Sequence, residues 1–266
     1  METQSTPIFQ RYKEWNDQCY QRYIRLYPED EHTTIWDGVI SPDTYVHSPF
    51  KIMILNREGY TEEGNSYCVN QVAREIIERD EKLFPNQTTL RTHLKQYLAM
   101  LELVGEDDFA LITDERAREK ARQFEDEHIF NRSMKEVAYC NVKKSDGKPN
   151  SNINDLREHT EKGLEILKEQ IRFFNPSIIL GGNVVDGILE NIVEWGENLY
   201  IPQGERRICI WQLKIDDKLF PFVDMYHPSN ISGMSEYYLE LFHALQAVER
   251  ERPGFWATRL NQQCFI

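Results

Sequence analysis

No apolar run in the 266-residue chain approaches the ~20 residues that a membrane-crossing helix needs, which excludes a chain built around such a span. Cysteine is sparse. Cys19, Cys68, Cys140, Cys209 and Cys264 are odd in number and no two stand at CxxC spacing. That pattern argues against a disulfide framework, a zinc knuckle and a four-cysteine iron–sulfur cluster, and leaves scattered thiols in a reducing compartment. The first residues, Met1 to Thr6, carry neither a basic stretch nor an apolar one, so no signal peptide is read there and a cytoplasmic protein is expected. Positive charge is also short: 31 Lys and Arg face 44 Asp and Glu, a formal net charge of -13. An acidic balance works against non-specific nucleic-acid binding, whose affinity comes mostly from phosphate attraction. A local basic rim acting within a Debye length of about 10 Å is still compatible with it. There is no internal repeat and no low-complexity tract.

What is present is a core. Hydrophobic residues make up 40% of the chain and aromatics 12%. Ile8 to Tyr27 carries Phe9, Tyr12, Tyr20, Tyr23 and Leu26 at spacings that suit one or two helices with an aromatic face. Lys51 to Leu55 is a short apolar run of the kind buried on both faces of a parallel sheet. Ser66 to Glu81 and Leu90 to Val104 read as helices. Thr113 to Glu127 is charged almost all round and reads as a solvated helix or an inserted lid. Glu136 to Cys140 is a second strand, ending in Asn141. Asn154 to Phe174 is the best helical pattern, closed by Asn175-Pro176. Ser177 to Leu180, Ile208 to Leu213 and Phe220 to Met225 are further strands. Ser235 to Glu249 is a closing helix with Ser235 as a plausible N-cap.

Strands alternating with helices predict an α/β fold, three layers in the order α/β/α around a central, mostly parallel four-stranded sheet. One domain over residues 1–266 is expected, with 1–48 as an N-terminal helical extension and 104–135 as an acidic insertion. Sites in such sheets lie beyond the carboxyl ends of the strands. Three polar segments follow strands directly: Asn56 to Asn65, Asn141 to Asn154, and Tyr226 to Ser235.

Each segment holds groups suited to chemistry. Glu58, just past a buried strand, can orient water or balance a developing positive charge, or can simply pair with Arg57 in solvent. His227 can donate to a leaving-group oxyanion, though Pro228-Ser229-Asn230 is also a turn sequence. Asn141 offers a donor and an acceptor suited to reading a base edge, or to capping a turn.

Together these segments resemble the uracil-DNA glycosylase superfamily over roughly Lys51 to Val248. Asn56-Arg57-Glu58-Gly59-Tyr60 is similar in placement to that family's Gly-Gln-Asp-Pro-Tyr. Val223 to Ser232 resembles its His-Pro-Ser-Pro-Leu-Ser segment, and Pro176 to Gly182 its Pro-initiated strand. The resemblance implies a DNA glycosylase that flips a base out of the stack and hydrolyses its N-glycosidic bond without metal or organic cofactor. Glu58 then takes the place of the water-activating Asp and His227 that of the catalytic His. Asn141 reads the base, Tyr67 stacks on it and Tyr60 walls the pocket. Ile231 is the wedge, Ser229 and Ser232 touch phosphates, and Lys143, Lys144 and Lys148 form a basic cluster at the mouth. DNA is the implied partner, with no membrane and no obligatory protein partner.

The chain departs from the motif at Asn56, Glu58, Gly59 and Asn230. These changes point away from strict uracil specificity, toward a modified pyrimidine such as the hypermodified cytosines of phage DNA, or toward a catalytically silent nucleic-acid or nucleotide binding module. A hydrolase of free nucleosides is the third reading.

Overall fold

The computed structural model describes residues 6–59, 66–145, 152–202, 208–229 and 236–264. In chain order the elements are α1 (Pro7–Leu26), β1 (Ile35–Trp36), β2 (Gly38–Val39), α2 (Pro42–His47), β3 (Ile52–Asn56), β4 (Tyr67–Cys68), α3 (Val69–Glu78), α4 (Thr88–Leu103), α5 (Asp114–Gln123), α6 (Glu127–Met134), β5 (Val137–Asn141), α7 (Ile153–Phe174), β6 (Ile178–Gly182), β7 (Glu194–Tyr200), β8 (Cys209–Ile215), β9 (Lys218–Met225) and α8 (Tyr237–Glu251). Among the described residues, no helix is long and apolar enough to cross a membrane. All five cysteines are free thiols.

The sheet is mixed and seven-stranded, in the order β2-β5-β3-β6-β9-β8-β7. This corrects the expected four-stranded sheet. Four strands, β5, β3, β6 and β9, run parallel at its centre. Antiparallel β2 flanks one edge, and antiparallel β8 and β7 flank the other. β2 is two residues long, too short to carry an alternating pattern. β7 is a partly exposed edge strand: Glu194, Glu197 and Asn198 face solvent while Leu199 is buried, and Glu, Gly and Asn are poorly suited to strands. β8 and β9 form a hairpin closed at Ile215 and Lys218, where Asp216 takes a positive φ of 53° in the two-residue turn.

Helices cover both faces. Ile52, Ile54, Val137, Ile178 and Val223 point into one core with α4, α6 and α8. Met53, Leu55, Ala138, Ile179 and Phe222 point into the other, with Leu167, Ile171 and Phe174 of α7. The alternation along each strand follows from the two-residue period of β structure, and every residue of β3, β5 and β6 is buried. α1 starts at Thr6, whose hydroxyl accepts from the Phe9 N–H, with Pro7 in the first turn. It lays Trp15 flat on Phe173 of α7, ring centroids 3.8 Å apart. α7 ends where Asn175 enters the left-handed region at φ 47° and Pro176 follows.

Three expectations change. Residues 1–48 are more than a helical extension, because β2 within them joins the sheet edge by pairing Gly38 with Tyr139 and Val39 with Ala138. The stretch from Ser66 opens with a short strand, β4, parallel to β1, before α3 begins. Ser235, the expected cap, lies outside the described residues, and the N-cap position of α8 falls on Glu236, which makes no side-chain cap hydrogen bond.

The charged segment around α5 is not solvated all round. Ala117 and Phe124 are fully buried and Ala121 nearly so, and α5 packs on α4 and α8. Phe130 and Met134 of α6 are fully buried too. The stripe Ala117, Ala121, Phe124 has helical spacing, but its small alanines are swamped by surrounding charge. Phe124→Ala is therefore expected to cost about 3–5 kcal/mol in urea unfolding, the usual range for emptying a core aromatic site. A loss under about 0.5 kcal/mol, typical of a surface position, would return the segment to a solvated helix.

Candidate active site

The four parallel strands end together, and their last residues form a row. Asn141 of β5 stands in register with Asn56 of β3, so both side chains leave the same face of the sheet. On the next strand stands Gly182, the last residue of β6. A Cβ there would lie 2.6 Å from Asn56 Oδ1 and 3.4 Å from both His227 Cδ2 and Pro228 Cδ. Glycine thus makes the room in which Asn56 and His227 approach each other. His227 follows β9, completing the row in sheet order.

The imidazole of His227 is held in one state. The Ser229 N–H donates to Nδ1 at 3.2 Å, and the Ser229 hydroxyl meets the same nitrogen at 2.6 Å. With Nδ1 accepting, the ring proton belongs on Nε2. Burial, with the Arg57 guanidinium nearby, pushes the imidazole down to about 4, so it is neutral at physiological pH. A neutral ring with Nε2–H available is a hydrogen-bond donor, suited to a developing oxyanion. The loop is anchored from below, where buried His93 of α4 donates through Nδ1 to the Pro228 carbonyl at 2.9 Å.

Glu58 is withdrawn from solvent, with a side chain only 6% exposed. Its Oε2 lies 3.5 Å from Lys143 Nζ, and Oε1 is buried with no hydrogen-bond partner among the described residues. Lys143 also donates to Asp155 Oδ2 at 2.6 Å. Gly59 packs its backbone against Ile35, where a Cβ would come within 2.8 Å of that side chain. A proline or alanine at that position would clash, which accounts for glycine where the resemblance has proline. Arg57 donates through Nε to the Asn183 carbonyl at 2.6 Å and lies close enough to Glu58, Asp186 and His227 to act on them electrostatically.

Asn141 is fixed through its backbone. Asp37, completely buried, accepts the Asn141 N–H on Oδ2 at 2.7 Å. Lys144 Nζ donates to both Asp37 carboxylate oxygens and to the Asn141 carbonyl, each at 2.8 Å. Gln170 of α7 donates to Asp37 from the other side. Tyr67, in β4, is tied to the same region through Thr34, whose carbonyl accepts the Tyr67 N–H, and through Ile35, which donates to the Lys144 carbonyl. It lines a cleft of about 250 Å³ with Val69, Ala73, Ile76, Leu83 and Phe84.

The structure therefore brings Asn141 and His227 to one row, each within reach of Asn56 or Gly182, and Glu58 follows Asn56 by two positions in the chain. It does not form the expected basic cluster. Lys143 and Lys144 are buried at 8% and 2% exposure and paired with carboxylates, because each leaves a strand end pointing into the protein. The Ser229 hydroxyl, expected to touch a phosphate, meets His227 instead. Tyr60, Lys148, Ile231 and Ser232 lie outside the described residues. The sequence placed Asn56 in the first motif without giving its side chain a role, and Asp37 and Asp224 went unremarked. The signal for Asn56 was legible, since two apolar strands each end in an asparagine.

Asp224 of β9 is partly buried, and burial, with the Asp186 carboxylate nearby, pushes it up to about 7. The native state then holds its proton at pH values where the unfolded chain has lost it, so Asp224 costs nothing near pH 3, destabilises progressively as pH rises from 3.8 to about 7, and costs a constant amount above that. Asp224→Asn is expected to stabilise the protein at pH 8, by about 1–3 kcal/mol after allowance for partial exposure, and to leave it unchanged near pH 3. Thermal unfolding at the two pH values checks this, and equal effects at both would contradict it.

No protein-family model matches the chain, and no curated protein matches it.

Proposed function

We propose that the chain is a monofunctional DNA glycosylase of uracil-DNA glycosylase-like fold. In this reading it hydrolyses the N-glycosidic bond of a flipped uracil or modified pyrimidine and leaves an abasic site. The observation that carries the reading is His227. A half-buried imidazole is held neutral, with Nδ1 accepting from Ser229 and Nε2–H left to donate, at the carboxyl end of a parallel sheet.

The chemistry follows from charge. As the bond from C1′ to the base nitrogen loosens, the sugar moves toward an oxocarbenium ion and the base toward an anion. His227 donates to the base oxygen on which negative charge collects. Glu58 contributes its buried carboxylate, with Oε1 available to orient the attacking water and its charge to balance the cation. Asn141, held at both ends of its peptide by Asp37 and Lys144, presents its amide to the base edge. Tyr67 supplies the stacking wall. The hypermodified cytosines of phage DNA are the substrates that the altered first motif favours, which would make the protein an anti-phage defence enzyme.

One observation favours the catalytically silent binding module. Lys143 and Lys144 are engaged inside the protein rather than offered to phosphates, in a chain of net charge -13. Chromatographic detection of free base separates the readings. The panel is uracil DNA, unmodified DNA, DNA carrying hydroxymethylcytosine or its glucosylated form, and the matching free nucleosides. Base released from one polymer supports the glycosylase. Release from nucleosides alone indicates a small-molecule hydrolase. Binding without release, unaffected by Glu58→Gln, indicates the binding module.

A further inference from the structure

Asn56 has a side chain that the protein does not use. It is 1% exposed, yet neither Oδ1 nor Nδ2 has a hydrogen-bond partner among the described residues. Buried amides in folded proteins are nearly always bonded, and an orphan donor beside an orphan acceptor is a cost with no structural return. This one stands at the carboxyl end of a central parallel strand, where ligands of α/β sheets bind. Its neighbour in register is Asn141, on the same face of the adjacent strand, roughly 4.8 Å away across the ladder. On its other side the residue is Gly182, and the approach of Asn56 Oδ1 to 2.6 Å of where a Cβ would stand means that a larger residue there would push the Asn56 amide aside. Beyond Gly182 lies His227.

The geometry points to Asn56 as a second ligand-reading amide. Paired with Asn141, it recognises the edge of a planar heterocycle that offers a donor and an acceptor side by side, the pattern of a pyrimidine. The inference deepens the base-removal reading and rests on it for the identity of the site. It gives the amide at position 56 the choice of exocyclic group, because an amide can present either its oxygen or its nitrogen. A carboxylate at position 56 presents acceptors only.

The test begins with the unaltered protein. Side-chain amide resonances of ¹⁵N-asparagine-labelled protein, assigned through Asn56→Ala and Asn141→Ala, are followed during titration with free uracil, cytosine, 5-hydroxymethylcytosine and, as a control, adenine. Saturable shifts of both amide pairs with at least one pyrimidine are expected. Asn56→Asp is expected to change the ratio of affinities for cytosine and uracil at least tenfold, with an unchanged far-UV spectrum. Gly182→Ala, which crowds Asn56 Oδ1 without altering charge, is expected to weaken binding of all pyrimidines at least tenfold.

Movement of Asn141 alone, or an affinity ratio untouched by Asn56→Asp, overturns the assignment and leaves the base-removal reading standing. Response of neither amide to any pyrimidine overturns both. Response of both amides without base release from any DNA upholds the assignment and removes the glycosylase.

Discussion

If the chain removes bases as proposed, replacing His227 with Gln or Ala is expected to lower the single-turnover rate of base release by about 10²–10³-fold, the usual cost of deleting one preorganised donor to a developing anion. The ground state gains little from this donor, since the leaving base carries full charge only as the bond breaks, so substrate affinity changes far less than rate. The wild-type rate is expected to show no inflection belonging to His227 between pH 5.5 and 8, because the ring is already neutral there, with its folded value near 4 against an ordinary 6.5. Protonation of the ring lowers activity only as pH falls toward 4. Stability follows the same sign. The advantage of the neutral half-buried ring is complete above pH 6.5 and is lost as pH falls from 6.5 to 4. Ser229→Ala removes one of the two groups on Nδ1 and keeps the backbone N–H, so its loss in rate is smaller than that of either His227 variant. A His227→Gln enzyme within threefold of wild type would remove the imidazole from the chemistry.

The second large effect concerns stability. Lys144→Met leaves Asp37, wholly buried, with its charge uncompensated, and is expected to cost about 3–5 kcal/mol. Asp37 keeps the Asn141 N–H and Gln170 as donors, but these do not neutralise it. The double variant Asp37→Asn/Lys144→Met removes both charges together and is expected to recover more than half of that loss. Urea unfolding with an unchanged m-value measures both. If the double variant is less stable than Lys144→Met alone, the Asp37 carboxylate is stabilising in its own right and the uncompensated-charge explanation fails. Because the same pair grips the peptide on both sides of Asn141, the single variant is also expected to weaken ligand binding at the site.

Much of the architecture was legible because central parallel strands are unambiguous in sequence. Lys51 to Leu55, Glu136 to Cys140 and Ser177 to Leu180 are apolar after their first residue, and each lies within a residue or two of β3, β5 and β6. Edge elements were not legible. β7 mixes exposed Glu194, Glu197 and Asn198 with buried Leu199 and shows no clean alternation, and β2 is held to β5 by partners distant in sequence rather than by any pattern of its own. The α5 segment misled for a related reason, since two alanines and one phenylalanine suffice to bury a face that charge count makes look wet.

At the site, the sequence could place Asn141, Glu58 and His227 just past strand ends. It could not show which way a side chain turns. Lys143 and Lys144 follow Asn141 and look like an exposed basic pair, yet both fold inward onto carboxylates contributed by Asp155 and Asp37, the latter more than a hundred positions away. The same limit hid the role of Ser229, whose neighbour in space is the histidine two residues before it.

The most direct test of base removal is alkaline cleavage of an end-labelled duplex carrying one modified pyrimidine at a fixed position, after incubation with wild type, Glu58→Gln and Asn141→Ala. The expected result is a single alkali-labile break at that position with wild type, reduced at least a hundredfold in both variants. An uncut strand with every pyrimidine tried, from a protein that binds the same duplex equally well with Glu58→Gln, would contradict base removal and leave a binding module.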